Sequence, residues 1–204
     1  MSTTDVKAFV SRKLSKINAL PDNLRRAELA RLRKGIGHEP GELPELWGSF
    51  LLDMPDEFRG YNAASDEEWA IYIALTYYAL HQQGKDKIMN SDGKSLGRAV
   101  RELVELTTSP GQDWTESSIL KRFNKLVTAS EISEISHHLR GMIQLLRSAP
   151  NGGVSLDYPQ LAADLYMLQC DDPQFENISS NVKLRWGQDL YRNIDNRTSE
   201  TEEK

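Results

Sequence analysis

The sequence predicts an all-α protein, a bundle of eight or nine helices that can divide into two packed lobes. Apolar residues recur at three- and four-residue spacing in nearly every segment, the period of a helix with one buried face. No segment alternates apolar and polar residues over the length of a strand, and β-branched runs are absent. Helix starts and stops at Ser, Thr, Pro and Gly positions punctuate the chain.

The elements follow in order. Thr4 caps a first helix that runs to about Ile17. Pro21 and Asp22 open a second, with Leu24, Ala27, Leu29 and Leu32 as its apolar stripe, and Gly35-Ile-Gly37 stops it. A loop with Pro40, Gly41 and Pro44 leads into a short helix around Leu46–Leu51. Ser65-Asp-Glu-Glu68 is a capping box ahead of Trp69, Tyr72, Ile73, Thr76 and Leu80. Gly84–Gly93 reads as a polar, mobile loop. Ser95 caps a helix with Leu96, Ala99, Val100, Leu103 and Leu106 on one face. Ser109-Pro-Gly-Gln-Asp113 breaks the chain, so the N-terminal lobe is placed at 1–108 and the C-terminal lobe at 109–196.

Beyond that break, Thr115 with Ser118 starts a helix bearing Ile119, Phe123, Leu126 and Val127. Ser130–Glu134 begins the next, with Ile132, Ile135, Leu139, Met142, Ile143 and Leu146, and Pro150-Asn-Gly-Gly153 ends it. The last two helices are expected at about Tyr158–Leu168 and Pro173–Tyr191, followed by a disordered tail at 197–204.

Composition narrows the class. A chain of 204 residues buries a core without disulfide or metal support. Charged residues are 27% and hydrophobic residues 39%, the mix of a globular protein. Cys170 is the only cysteine, which excludes a disulfide framework and a thiolate metal cluster. The N-terminus lacks an apolar signal core, and the longest apolar stretch, Trp69–Leu80, is well short of the ~20 residues of a membrane span. A cytoplasmic location is expected.

Charge is unevenly placed. The chain is net −5, yet nine of its 25 basic residues lie in the first 38 positions, against Asp5, Asp22 and Glu28. The stretch 39–70 then carries nine acids and one base, Arg59. Such segregation costs self-repulsion unless the two signs face different things, and basic helices favour phosphate.

Apparent chemical motifs fail on inspection. Gly93-Lys94-Ser95 resembles the end of a P-loop, but Ile88 stands where the first glycine belongs and no strand precedes it. Asn90-Ser-Asp-Gly93 resembles part of a calcium loop, but its first and twelfth positions are Ile88 and Ala99. Gly35-Ile-Gly37 lacks a third glycine and follows a helix. Adjacent His137 and His138 project about 100° apart, so they are not the i, i+4 pair that zinc requires. His38 and His81 have no suitably spaced acids or thiols, and Cys170 reads as a core or near-surface thiol. No catalytic residue, cofactor site or metal ligand set is expected, and the enzyme class is disfavoured.

The basic faces are more informative. Arg25, Arg26, Arg33 and Lys34 have few acidic neighbours, since Glu28 alone cannot neutralise them. Lys121, Arg122 and Lys125 have no acid within reach on their own helix after Glu116, and Arg140 and Arg147 extend the supply on the next. Arg98 and Arg101 instead have Glu102 and Glu105 at i, i+4, an ion-pair spacing. Uncompensated cations spaced along helices suit a groove that tracks a nucleic-acid backbone. The rival reading is a helical protein–protein adaptor that works through its acidic 39–70 face.

Several segments together resemble one family. They are Arg25-Arg-Ala-Glu-Leu-Ala-Arg-Leu-Arg-Lys34, Pro40-Gly-Glu-Leu-Pro-Glu-Leu-Trp47, Tyr77-Tyr-Ala-Leu-His-Gln-Gln83, Ser95-Leu-Gly-Arg-Ala99, Lys121-Arg-Phe123, Leu139-Arg140 and Leu184-Arg-Trp-Gly-Gln-Asp-Leu-Tyr-Arg192. The chain resembles, from about residue 5 to 193, the CasB small subunits of the type I-E CRISPR Cascade surveillance complex. Ser95–Ala99 and the closing segment are its specific parts.

The resemblance implies a non-enzymatic, all-helical subunit present in two copies. It implies contacts with the large, backbone and guide-processing subunits, with CRISPR RNA, and with target and non-target DNA. Its implied role is to hold the displaced strand when the R-loop opens in antiviral defence. By position it implies phosphate contacts from Arg31, Arg33, Arg98, Arg101, Arg122 and Arg140. Arg185, Trp186 and Tyr191 are assigned to packing.

Overall fold

The computed structural model describes residues 3–109, 112–170 and 177–192. Among them are nine α-helices: α1 (Thr3–Asn18), α2 (Asp22–Lys34), α3 (Trp47–Phe50), α4 (Asp66–His81), α5 (Leu96–Thr107), α6 (Ser118–Thr128), α7 (Ile132–Ser148), α8 (Tyr158–Gln169) and α9 (Ile178–Tyr191). The expected all-α class is the one the chain adopts; among the described residues no strand forms, and Asn90 and Leu156 make an isolated parallel bridge. The expected tail and the Pro173 helix start lie outside the described residues.

Helix α4 is the axis of the bundle. Every residue from Ala70 to His81 is buried, the condition of a helix covered on all sides. Helices α1, α2, α7 and α8 pack against it. Its start is the expected capping box: Glu68 N–H donates to Ser65 Oγ at 3.0 Å, and Ser65 N–H donates to Glu68 Oε2 at 2.8 Å. Helix α1 also lies on α8, and α5 on α9. Helices from both sides of the 108/109 connection thus share one core, which runs from Val6 to Leu190.

The two most specific sequence segments meet in space. A Cβ on Gly97 would stand 2.1 Å from the Trp186 carbonyl oxygen, so α5 and α9 touch backbone to backbone there. Ser95 Oγ accepts from Arg98 N–H at 3.3 Å as the α5 cap and donates to Asp189 Oδ2 at 2.6 Å. Behind this contact, buried Asp164 accepts from Trp186 Nε1 at 2.6 Å and from Gln160 Nε2 at 2.7 Å, and pairs with Arg185. Burial raises the Asp164 pKa above the ordinary carboxylate value, and Arg185 and these donors oppose the rise.

Three expectations are corrected. The 84–93 segment, expected as a free polar loop, is tied to the core at several points. Met89 is fully buried, Gln82 holds Lys85 O, Lys87 O and Met89 N–H, and Leu156 N–H donates to Met89 O at 3.0 Å. Gln82 lies just ahead of the segment and Leu156 far along the chain, so the segment's own polarity concealed both. Helix α6 is capped by Ser117, whose Oγ accepts from Leu120 N–H at 3.2 Å, while Thr115 sits in a preceding 3-10 turn. Trp186 is packed as expected at 1% exposure, but Tyr191 is 57% exposed, because only Val182, Trp186 and Leu190 face inward on α9 beside Asp189.

Candidate nucleic-acid interface

Helix α2 is less free than its sequence suggests. Arg25 pairs with Asp22 at 2.7 Å, Arg31 pairs with Glu28, and Lys34 lies 3.8 Å from Glu45. The expectation of uncompensated charge is therefore corrected for Arg25 and Lys34. Glu45 belongs to the acidic 39–70 stretch, which folds back beside the basic one. Lys16 and Asp53 repeat the pattern at 2.8 Å.

Arg33 and Arg147 occupy a different setting. Arg33 Nη1 donates to Ala79 O at 3.4 Å, in the last turn of α4, and Arg147 Nη1 donates to Gln83 Oε1 at 3.0 Å just beyond it. A helix C-terminus favours positive charge. Burial and then the nearby Arg147 lower the Arg33 pKa from its ordinary value, which places the two guanidinia within mutual influence.

From there cations continue across α7 to α6. A Cβ on Gly37, which follows α2 with φ +89°, would sit 3.9 Å from Arg140 Nη1, and one on Gly141 would sit 3.9 Å from Arg122 Nη1. Arg122, Arg140, Arg33 and Arg147 thus form a ridge across α6, α7 and the end of α2. Among the described residues no carboxylate pairs with these four, nor with Arg26, Lys121 or Lys125. Arg122, Lys121 and Lys125 point outward from the buried Leu120, Phe123 and Leu126.

On α5, Arg101 pairs with Glu105 at 2.6 Å as its spacing requires, and its guanidinium lies 4.7 Å from the Trp114 ring centroid. Arg98 departs from expectation. Lys94 takes Glu102 at 2.6 Å, and Arg98 turns to Asp189 at 3.5 Å and Gly93 O at 3.3 Å. Arg192, which sequence reasoning did not single out, lies 3.6 Å from the same Asp189 oxygen. The glycine of the rejected P-loop match has φ +76° and donates its N–H to Asp157 Oδ2 at 2.7 Å, so that turn serves the core.

Beneath the ridge, His81 is fully buried and its Nδ1 lies 2.9 Å from Tyr158 Oη. Burial, then Lys85 and Arg147, push its pKa down to about 3. His137 and His138 rings contact edge-on at 5.3 Å, and His138 Nε2 is 3.8 Å from Glu134. No helix of the described residues is long and apolar enough to cross a membrane.

A helical bundle around a buried central helix, carrying a ridge of arginines without carboxylate partners among the described residues, is the class that fold and surface define. A family profile for CRISPR-associated protein Cse2 matches residues 28–191. The crystal structure of CasB from Thermobifida fusca is similar at 30% identity and TM-score 0.68, covering 92% of this chain and 98% of that one. A Cse2-family CRISPR-associated protein from Thermus thermophilus shares the fold at 21% identity and TM-score 0.61, over 94% and 99% of the two chains. CasB from M. ruber does so at 19% identity and TM-score 0.64, over 90% and 93%. Comparison with curated proteins gives no match. The chain belongs to the CRISPR-associated Cse2 family, the CasB small-subunit family that its sequence resembles.

Proposed function

We propose that this chain is a non-enzymatic small subunit of a type I-E CRISPR RNA-guided complex and holds single-stranded nucleic acid without sequence preference. Its ligand is the displaced non-target strand of the R-loop. The observation that carries this reading is the ridge of Arg122, Arg140, Arg33 and Arg147, which lacks carboxylate partners among the described residues. Strand exchange in an R-loop is nearly balanced in energy, so a few phosphate contacts to the freed strand can tip it. Its partners are the large, backbone and guide-processing subunits, a second copy of itself, CRISPR RNA and target DNA.

The test uses the assembled complex. Charge reversal at Arg122 and Arg140 is expected to lower target-DNA affinity and to expose the displaced strand to chemical probes, with assembly and guide binding intact. A variant complex that protects the strand as well as wild type overturns the reading.

The adaptor reading has its own observation. Trp47 and Tyr61 are exposed within the acidic stretch and, with Phe50, Leu51 and Glu68, line a cleft of about 440 Å³. That reading predicts loss of co-purification with the other subunits on Trp47→Ala, with nucleic-acid binding unchanged.

A further inference from the structure

A second basic surface lies on α5 and α9, and it is paired with aromatic rings. Arg98 and Arg192 share one oxygen, Asp189 Oδ1, at 3.5 and 3.6 Å. Two guanidinia on one carboxylate leave a positive surplus. Arg101 lies over the Trp114 ring, and the Trp114 and Tyr191 ring centroids are 5.2 Å apart with the planes tilted by 51°. Tyr191 is largely exposed, although its neighbour Leu190 is buried.

This arrangement is more than packing requires. A tyrosine that merely covers a core turns its ring inward, as Tyr78 and Tyr158 do here. Tyr191 instead keeps one aromatic neighbour, which fixes its ring, and leaves the rest of its surface open. Two residues before it on α9, Asp189 gathers two guanidinia: Arg98, which also donates to Gly93 O, and Arg192. An exposed aromatic ring on a helix end that also gathers cations is what single-strand binding combines, because every base has a π-face and every nucleotide a phosphate.

We propose that Tyr191 is a stacking platform for an unpaired base of single-stranded DNA. Trp114 positions its ring, and Arg98 and Arg192 contact the flanking phosphates. The proposal rests on the strand-binding function above and adds a base contact to a reading made only of phosphate contacts. It also reassigns Tyr191 from packing to binding and makes Arg101 a positioning residue for Trp114.

The test is binding of the full chain to fluorescently labelled oligonucleotides of equal length across a salt series. The probes are oligo-dT, its abasic counterpart and oligo-rU. Wild type is expected to bind oligo-dT about tenfold more tightly than the abasic strand, the range of one stacked base. Tyr191→Ala is expected to remove that difference and leave the abasic affinity and salt slope unchanged, while Tyr191→Phe keeps the difference. In wild type, tryptophan fluorescence is expected to change with oligo-dT and not with the abasic strand, a readout independent of any variant.

Equal binding of wild type to oligo-dT and the abasic strand, with a steep salt slope, overturns the stacking site and leaves the phosphate ridge standing. Tyr191→Ala that keeps the tenfold preference also overturns it. Tyr191-dependent preference for oligo-rU over oligo-dT moves the site to RNA and overturns the DNA assignment. No binding to any strand at low salt sinks both this proposal and the function on which it rests.

Discussion

Helix α2 and the α6–α7 pair both carry cations opposite a buried face, yet they differ in how many of them stay free of carboxylates. Three of the five basic residues on α2 meet carboxylates at Asp22, Glu28 and Glu45. On α6 and α7, Lys121, Arg122, Lys125, Arg140 and Arg147 meet none among the described residues. The region with the denser charge in sequence is therefore the more neutral one in space. Linear charge density measures what a helix brings; the fold decides what stays available to phosphate.

The largest effect separates loss of fold from loss of charge. Trp186→Ala removes a fully buried aromatic and a donor to Asp164, and is expected to cost about 3–5 kcal/mol. Thermal melting reads this, and nucleic-acid binding is expected to fall only with the unfolded fraction. If the melting temperature holds while binding disappears, Trp186 belongs to the interface and the division between core and ridge fails.

The next effect asks whether free cations press on the core. His81 is held neutral at about pH 3 and above when folded, by burial and by Lys85 and Arg147, against an ordinary value of about 6.5 when unfolded. Between those values the unfolded chain binds more protons. Stability is therefore full above about pH 6.5 and falls on acidification by up to about 1.4 kcal/mol per pH unit. His81→Gln is expected to flatten that limb in melts between pH 4.5 and 6.5, and Arg147→Gln to soften it slightly. An unchanged acid limb in His81→Gln assigns the titration elsewhere.

Binding itself ranks third. Charge reversal at Arg122, Arg140 and Arg147 together is expected to lower the log–log salt slope for single strands by about 2, roughly 0.7 per phosphate contact. Each exposed change moves stability by only about 0.5 kcal/mol. The smallest effect belongs to Arg25 and Arg31, which already face Asp22 and Glu28. Reversing both is expected to lower the slope by less than half as much as the ridge variant. Equal slopes for the two variants would mean that ion pairing on α2 does not decide which cations reach phosphate.

What the sequence made legible was local. The Ser65–Glu68 box, the Ser95 cap and the Arg101–Glu105 pair each form within one or two turns, so spacing alone specifies them. What escaped depended on distant partners. Met89 is buried because Leu156 reaches across to it, and Lys34 is paired because the 39–70 stretch folds back. The i, i+4 rule named Glu102 for Arg98, but Lys94 takes Glu102, and Asp189 of α9 lies within reach of Arg98. Tyr191 escaped for a narrower reason: one residue beyond Leu190 rotates it about 100° off the buried stripe.

The contact at Gly97 has a consequence for how such chains diverge. Each of the two short signature segments looks weak alone, but the carbonyl of Trp186 occupies the space that any side chain at 97 would need. Neither segment is then free to drift by itself. A descendant that replaces the glycine has to displace α9, and with it the Asp189 that accepts from Ser95 and gathers Arg98 and Arg192. The two segments therefore act as one lock and its key: a change in either is felt by both.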